Sequence, residues 1–280
     1  MAMITAEQVR ALREETGLPM MECKTALTEA SGDNEAAKTL LQKKYKGKLE
    51  SRSSSETGEG RMAIYFTDDR KTGAIADVRC ETAPVAKTDQ FIALAATVAK
   101  SVAAQSAIAP SPDEAAAMKS AAKPGRTIKD EIMDVFGILR ENMKVARCRK
   151  MTGGYVCGYV HHDGKSGVLI TLDARPNPES TATDLCHHVI FSNPLAISRD
   201  QIPASKLDEV RSLARELAQG EGKPAQLIDK IAEGKVNAFC GLNALMEQEH
   251  VKVPKTAVKD VLKGAGVTTI NEFVVFKIGS

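Results

Sequence analysis

Tryptophan is absent from this 280-residue chain, and aromatic residues make up only 4% of it. A platform that stacks nucleotide bases needs aromatic faces, so direct nucleic-acid binding of that kind is not expected. Charge of one sign is also scarce. The formal net charge is +2, too small to draw nucleic acid or a membrane surface by electrostatics alone. No apolar run approaches the roughly 20 residues that cross a bilayer. The start, Met1-Ala2-Met3-Ile4-Thr5, lacks a basic region followed by an apolar core, so no secretory leader is read and a cytoplasmic location is expected. The six cysteines (Cys23, Cys80, Cys148, Cys157, Cys186 and Cys240) form no C-x-x-C pair. Zinc sites and disulfide scaffolds show clustered spacing, so these read as buried reduced thiols.

Reaction-centre signatures are missing as well. Neither G-x-x-x-x-G-K-[ST] nor G-x-G-x-x-G occurs, and Gly164-Lys165-Ser166 lacks the upstream glycine of a phosphate loop. There is no G-x-S-x-G elbow. The histidine pairs His161-His162 and His187-His188 each point their rings in divergent directions on a strand or helix, so neither is a two-ligand clamp by itself. Cys157 with His161, or Cys186 with His187 and His188, forms a metal site only if the fold gathers them. No cofactor, no metal and no catalytic residue is assigned. A chain of this kind is expected to act by binding.

What is present is ordinary globular composition, 43% hydrophobic and 26% charged, organised around residues 12–27. Gly17 suits the left-handed close of one helix, and Pro19 suits the first turn of the next. Leu18, Met20 and Met21 crowd the corner where a plain turn would be polar. They either staple the two helices together or offer an adaptable apolar surface to another protein. Residues 1–50 read as three short helices. Thr5 and Gln8 form a capping box, and Asp33 caps the third helix. The Ser-, Glu- and Gly-rich stretch 51–60 reads as a flexible linker. The basic run Lys43–Lys48 is either a nucleic-acid patch or, as such runs more often are, a solvated helix end.

Strands are expected over Arg61–Thr67 and Gly73–Cys80, then a helix capped by Thr88 or Asp89, a segment broken by Pro110, Pro112, Pro124 and Gly125 with room for one short helix between them, and an amphipathic helix over Thr127–Leu139. Met143–Met151, Gly154–His161 and Gly167–Leu172 read as a three-stranded meander. A helix over Thr183–Ile190 follows. Residues 202–239 read as an antiparallel helical hairpin with Leu207, Val210, Leu213 and Leu217 facing Leu227, Ile231 and Val236. A helix over Lys255–Leu262 and a strand over Glu272–Ile278 complete the order. Runs of strands beside runs of helices define an α+β fold. The expected units are the module 1–50, the linker 51–60, and two related sheet-and-helix halves, 61–139 and 140–280.

The run L-R-E-x-T-G-x-x-M-M-x-C-K-x-A-L over Leu12–Leu27 resembles the N-terminal signature of the elongation factor Ts family. Further segments resemble that family in the same order. They are Cys80-Glu81-Thr82-Ala83-Pro84-Val85-Ala86-Lys87, Glu141-Asn142-Met143 with Arg147, Tyr159-Val160-His161 with Lys165–Leu169, His188–Pro194, and Lys223-Pro224 with Glu233-Gly234-Lys235. The resemblance implies a ubiquitin-associated-like three-helix module. It also implies a guanine nucleotide exchange factor that binds elongation factor Tu, GDP-bound and nucleotide-free, and no membrane. By resemblance, Leu12, Arg13, Pro19, Met20 and Met21 dock on the partner's nucleotide domain, and the loop Thr82, Ala83, Pro84, Val85 is aimed at its magnesium site. His161 and His188 are either further partner contacts or structural residues, and the 202–239 hairpin is a further contact. Two departures stand out. Ala83 and Pro84 occupy positions where the family has Asp and Phe, so either Pro84 is a smaller, stiffer wedge or the push comes from elsewhere. Arg140 replaces the Gly of the family's G-E-N. The alternative reading is an adaptor whose N-terminal module binds ubiquitin-like partners or nascent chains.

Overall fold

The computed structural model describes residues 4–52 and 54–279. Met1–Met3, part of the start read as leaderless, and Ser53 of the 51–60 stretch lie outside them. The N-terminal module is α1 (Ala6–Thr16), α2 (Met20–Glu29) and α3 (Asn34–Arg52). Thr5 and Gln8 make the capping box of α1, and Gly17 closes it in the left-handed region at φ 68°. The Asp33 carboxylate accepts from the Ala36 amide at the start of α3. Val9, Leu12, Leu18, Cys23, Leu27, Leu41 and Tyr45 form the module's core.

That core is not closed on itself. Phe136, from a helix of the body, completes it. Two reasons are visible. α3 runs to Arg52 and the first strand begins at Glu59, so helix and strand take both ends of the stretch expected as a linker. The basic run Lys43–Lys48 therefore lies inside α3. The corner also sits against Gly137, where an added Cβ would stand 2.7 Å from Leu18 Cδ2. A β-carbon there would force the Leu18 side chain to shift.

The body holds two three-stranded antiparallel sheets. The first has the order β1 (Glu59–Phe66), β2 (Thr72–Cys80) and β3 (Met143–Thr152). Between β2 and β3 lie α4 (Ala83–Ala86), α5 (Asp89–Ala104), α6 (Pro112–Ala117) and α7 (Ile128–Leu139). The second sheet has the order β4 (Tyr155–Val160), β5 (Ser166–Leu172) and β6 (Ile270–Lys277). Between β5 and β6 lie α8 (Ser180–Ser192), α9 (Ala204–Gly220), α10 (Ala225–Asn243) and α11 (Val258–Gly264).

This corrects the expected meander. The strands over 143–172 do not form one sheet. β3 pairs with β2, from Thr72 with Thr152 to Cys80 with Met143, so the first sheet draws a strand from beyond residue 140. The turn at Thr152-Gly153 carries the chain from one sheet to the other. The reason lies in burial. β2 and β5 are central strands, apolar on both faces, and each needs two neighbours and two covers. On β2, Ala74, Ala76, Val78 and Cys80 pack on α5 and α7 through Phe91, Leu94, Val98, Ile128 and Ile132. Its other face turns Ile75 toward Met62, Met151, Val156, Leu169 and Phe276, the layer between the sheets. On β5, Val168, Ile170 and Leu172 pack on α8 and α11. The result is four layers, helix, sheet, sheet, helix. The buried carboxylate of Asp77 is held by Arg79 at 2.5 Å and Arg147 at 3.0 Å.

The hairpin forms as expected, but its seam differs. Ala214 and Ala218 of α9 are buried, as are Ala232, Val236 and Cys240 of α10. Leu213 and Leu217 are each 58% exposed and Leu227 is 43% exposed. Small residues let the helices approach closely, and the leucines are displaced to the outer face. Leu207, Val210 and Val236 do pack together, at the base. Arg211–Glu233 at 2.6 Å and Arg215–Asp229 at 2.8 Å bridge the two helices.

Two glycine substitutions should have opposite signs. Gly137→Val should cost about 1–3 kcal/mol by driving a branched side chain into Leu18. Gly234→Ala, exposed within α10 with open space around it, should stabilise by about 0.5–1 kcal/mol. Urea unfolding of the two variants beside the parent measures both.

Candidate partner-binding site

The corner between α1 and α2 divides its residues into two sets. Leu12 and Leu18 are buried. Arg13 and Pro19 are exposed, as are Met20 at 49% and Met21 at 69%. Leu12 was expected among the docking residues. With no surface to offer, it is core, and the accessible patch is Arg13, Pro19, Met20 and Met21. The pairing follows from helix geometry. Leu12 continues the inward stripe begun by Val9, while Met20 and Met21 sit in the first turn of α2, whose inward positions are taken by Cys23, Ala26 and Leu27.

The loop after β2 is ordered by its neighbours. Thr82 starts a single helical turn, α4, with Pro84 in its first turn. The amide of Thr82 donates to Glu141 Oε2 at 3.0 Å, and its hydroxyl donates to Glu141 Oε1 at 2.6 Å. Glu81 accepts from Arg52 Nη2 at 2.9 Å and from the Asn142 amide at 2.6 Å. The Cys80 thiol lies 3.3 Å from the Thr82 carbonyl. Burial, together with the charge of Glu141, pushes that thiol up to about 12, so it stays neutral and unreactive. Thr82 and Pro84 are exposed, and Ala83 and Val85 are half-buried. The loop thus presents a short, stiff, apolar-tipped turn with no carboxylate and no aromatic ring of its own.

Arg140, next in the chain to Glu141, holds the corner side. Arg140 closes α7 in the left-handed region at φ 62°. Its Nη2 donates to Glu22 Oε1 at 2.8 Å and to the Tyr45 hydroxyl at 2.6 Å, and its guanidinium carbon lies 4.5 Å from the centre of the Tyr45 ring. Tyr45 in turn donates to Glu22 Oε2. Burial alone would raise the Glu22 carboxyl. The hydrogen bonds from Tyr45 and Arg140 outweigh it and hold the group below its usual range. Burial and the bond to Glu22 push the Tyr45 phenol well up. These contacts escaped sequence reasoning because Glu22, Tyr45 and Arg140 are far apart in the chain and each looks like an ordinary surface residue. The one available signal was Arg140 standing where the family has Gly.

The two histidines fare differently. His161 is half-buried beside the β4–β5 turn, 3.5 Å from the Tyr159 hydroxyl. His188 is fully buried, which corrects its place among partner contacts: no atom of it is accessible. Its Nε2 pairs with Gln248 Oε1 at 2.9 Å, and its Nδ1 accepts from the Val251 amide at 3.3 Å. Its ring stacks on that of His250, 5.5 Å between centres. His188 and His250 fix the strap between α10 and α11 to α8. Among the described residues no group of three or more His, Cys, Asp or Glu could hold a metal ion.

The fold is a four-layer α+β body with a small helical module seated on it, and two exposed apolar elements lie either side of their joint. The elongation factor Ts family model matches residues 81–280. The chain is 36% identical to the elongation factor Ts of Bordetella petrii over 280 residues, covering all of this chain and 92% of that protein. It is 34% identical to that of Aquifex aeolicus, covering 99% and 98%, and 35% identical to that of Nautilia profundicola, covering 100% and 94%. This chain belongs to the elongation factor Ts family.

Burial lowers the affinity of both His188 and His250 for protons below the ordinary value of 6.5. Asp184 opposes that shift at His250, and Lys252 adds to it. A depressed base contributes stability that is complete above the unfolded value and lost as pH falls below it toward the folded value. The urea midpoint should therefore be lower at about pH 5.5 than at about pH 7.5, a window above the carboxylate titrations. His250→Gln should reduce the difference.

Proposed function

We propose that this chain is a guanine nucleotide exchange factor for elongation factor Tu, acting in translation elongation. It performs no bond chemistry. It binds the nucleotide-poor partner more tightly than the GDP-bound one, and by reciprocity GDP or GTP weakens its own hold. A thousandfold acceleration of release requires about 4 kcal/mol of differential stabilisation at the release transition state.

The observation that carries the reading is the pair of exposed elements on one frame. Arg13, Pro19, Met20 and Met21 form the docking patch on the partner's nucleotide domain, and Thr82–Val85 form the element that disturbs its magnesium and phosphate site. Pro84 is the rigid, exposed point of that loop. It acts as a compact wedge, with half-buried Val85 behind it, in place of an aromatic ring. His161 and the outward leucines of the α9–α10 hairpin are further contact candidates. The seating of the N-terminal module on α7 fits one fixed interface. A free-standing adaptor module would have no use for it.

The test is release of a fluorescent GDP analogue from elongation factor Tu, with and without the chain, at low and high magnesium. Acceleration that shrinks as magnesium rises supports a loop acting on the ion. Acceleration indifferent to magnesium moves the action to the phosphate side. Absence of acceleration sinks the exchange reading. Met20→Asp should weaken partner binding by a few kcal/mol, as for a buried interface anchor. It should leave the fold's stability nearly unchanged, since Met20 is half exposed. Titration of the partner and urea unfolding measure the two.

A further inference from the structure

We propose that Arg140 and Glu141 form a rigid joint that positions the Thr82–Val85 loop relative to the Met20–Met21 corner, so that seating the corner on the partner GTPase aims the loop. The inference rests on the exchange reading above and assigns the residues through which the two contact elements act together.

The joint occupies three consecutive residues. Arg140 grips α2 and α3 through Glu22 and Tyr45. Glu22 directly follows Met21, so this grip is one residue from the exposed corner. Glu141 grips the loop, its two carboxylate oxygens taking the amide and hydroxyl of Thr82. Asn142 donates its amide to Glu81, the residue before Thr82. A parallel tie closes the frame. Arg52, at the end of α3, donates to the Arg140 carbonyl at 2.9 Å and to Glu81 at 2.9 Å. Corner, helix and loop therefore meet at 140–142 through charge-assisted bonds, and the two-oxygen grip of Glu141 on Thr82 holds orientation as well as distance.

The backbone at Arg140 argues that its side chain is what the position needs. At φ 62° and ψ 19° a glycine would sit without strain, and a β-carbon costs about 1 kcal/mol. This chain instead carries a long cation whose guanidinium spans the gap to Glu22 and lies on the Tyr45 ring. The Thr82–Val85 loop has no carboxylate and no aromatic ring of its own. A small wedge without a carboxylate gains most from being held in one place, because misplacement by an ångström forfeits positioning effects.

The test uses the full chain. Arg140→Gly relieves the backbone and removes the grip, so a merely structural role predicts a fold close to parental stability and unaltered exchange. A positioning role predicts that the GDP release rate at saturating factor falls about tenfold, while the half-saturating concentration moves far less. Glu141→Ala should act in the same direction, and Arg140→Lys, which keeps the ion pair but not the planar guanidinium on the Tyr45 ring, should recover part of the loss. A second readout needs no partner. Spin labels on Met21→Cys and Pro84→Cys report the corner-to-loop distance; the native cysteines are all buried and stay unlabelled. Arg140→Gly should broaden that distance distribution. A distribution of unchanged width overturns the joint, as does a saturated release rate equal to the parent's. A parent chain that fails to accelerate release overturns the exchange reading itself, and the inference with it, an outcome distinguished by the parent measurement alone.

Discussion

The close approach of Leu18 to Gly137 seats the N-terminal module on the body. A three-helix unit of this size makes a marginal core by itself. Here it borrows Phe136 from α7 and buries its corner against the same helix. Once the corner is down, Tyr45 and Glu22 lie within reach of the residue that ends α7, and the continuous α3 delivers Arg52 to Glu81. Every tie between the methionine corner and the loop after β2 follows from that seating. Without it, the module and the body would be two objects joined by a strand of chain.

The body supplies stiffness of a different kind. Each sheet has a central strand buried on both faces, and the two sheets share an apolar layer around Ile75, Val156 and Leu169. The loop after β2 springs from the end of the most enclosed strand of the first sheet, so its root moves little. The hairpin follows the opposite logic. Its alanine seam holds two helices together with small contacts and inter-helix ion pairs, and leaves leucines facing outward. That arrangement suits a projecting arm whose apolar face meets something other than its own body.

Local features were legible in the sequence because they are written in neighbouring residues. The capping box at Thr5, the left-handed Gly17, the caps at Asp33 and Thr88, and the amphipathic stripe of α7 each depend on a few adjacent side chains. The family was legible for the same reason, through runs such as 12–27. What escaped was long-range. β3 alternates as a strand should, but nothing in its own residues says whether β2 or β4 will be its neighbour. Leucine was read as seam and alanine passed over, since hydrophobicity ranks them so, while close helix packing reverses the order. Leu12 and His188 belong to motif stretches, and a motif does not say whether its residue is core or contact; both are buried. Burial, which decides the matter, is a property of the whole fold.

The pairing order of the strands bears on how the chain is made. β5 finds β4 at once, across a tight turn, but its other neighbour is β6, roughly a hundred residues further along. Throughout the synthesis of α8, the hairpin and α11, one edge of a strongly apolar strand has no hydrogen-bonding neighbour within its own sheet. Such an edge is a template for pairing with other chains. The first sheet has a shorter version of the same delay, with β3 arriving after α4–α7. A nascent chain of this fold therefore passes through its most association-prone stage late, when most of its mass is already off the ribosome and the second sheet still lacks a third of its strands.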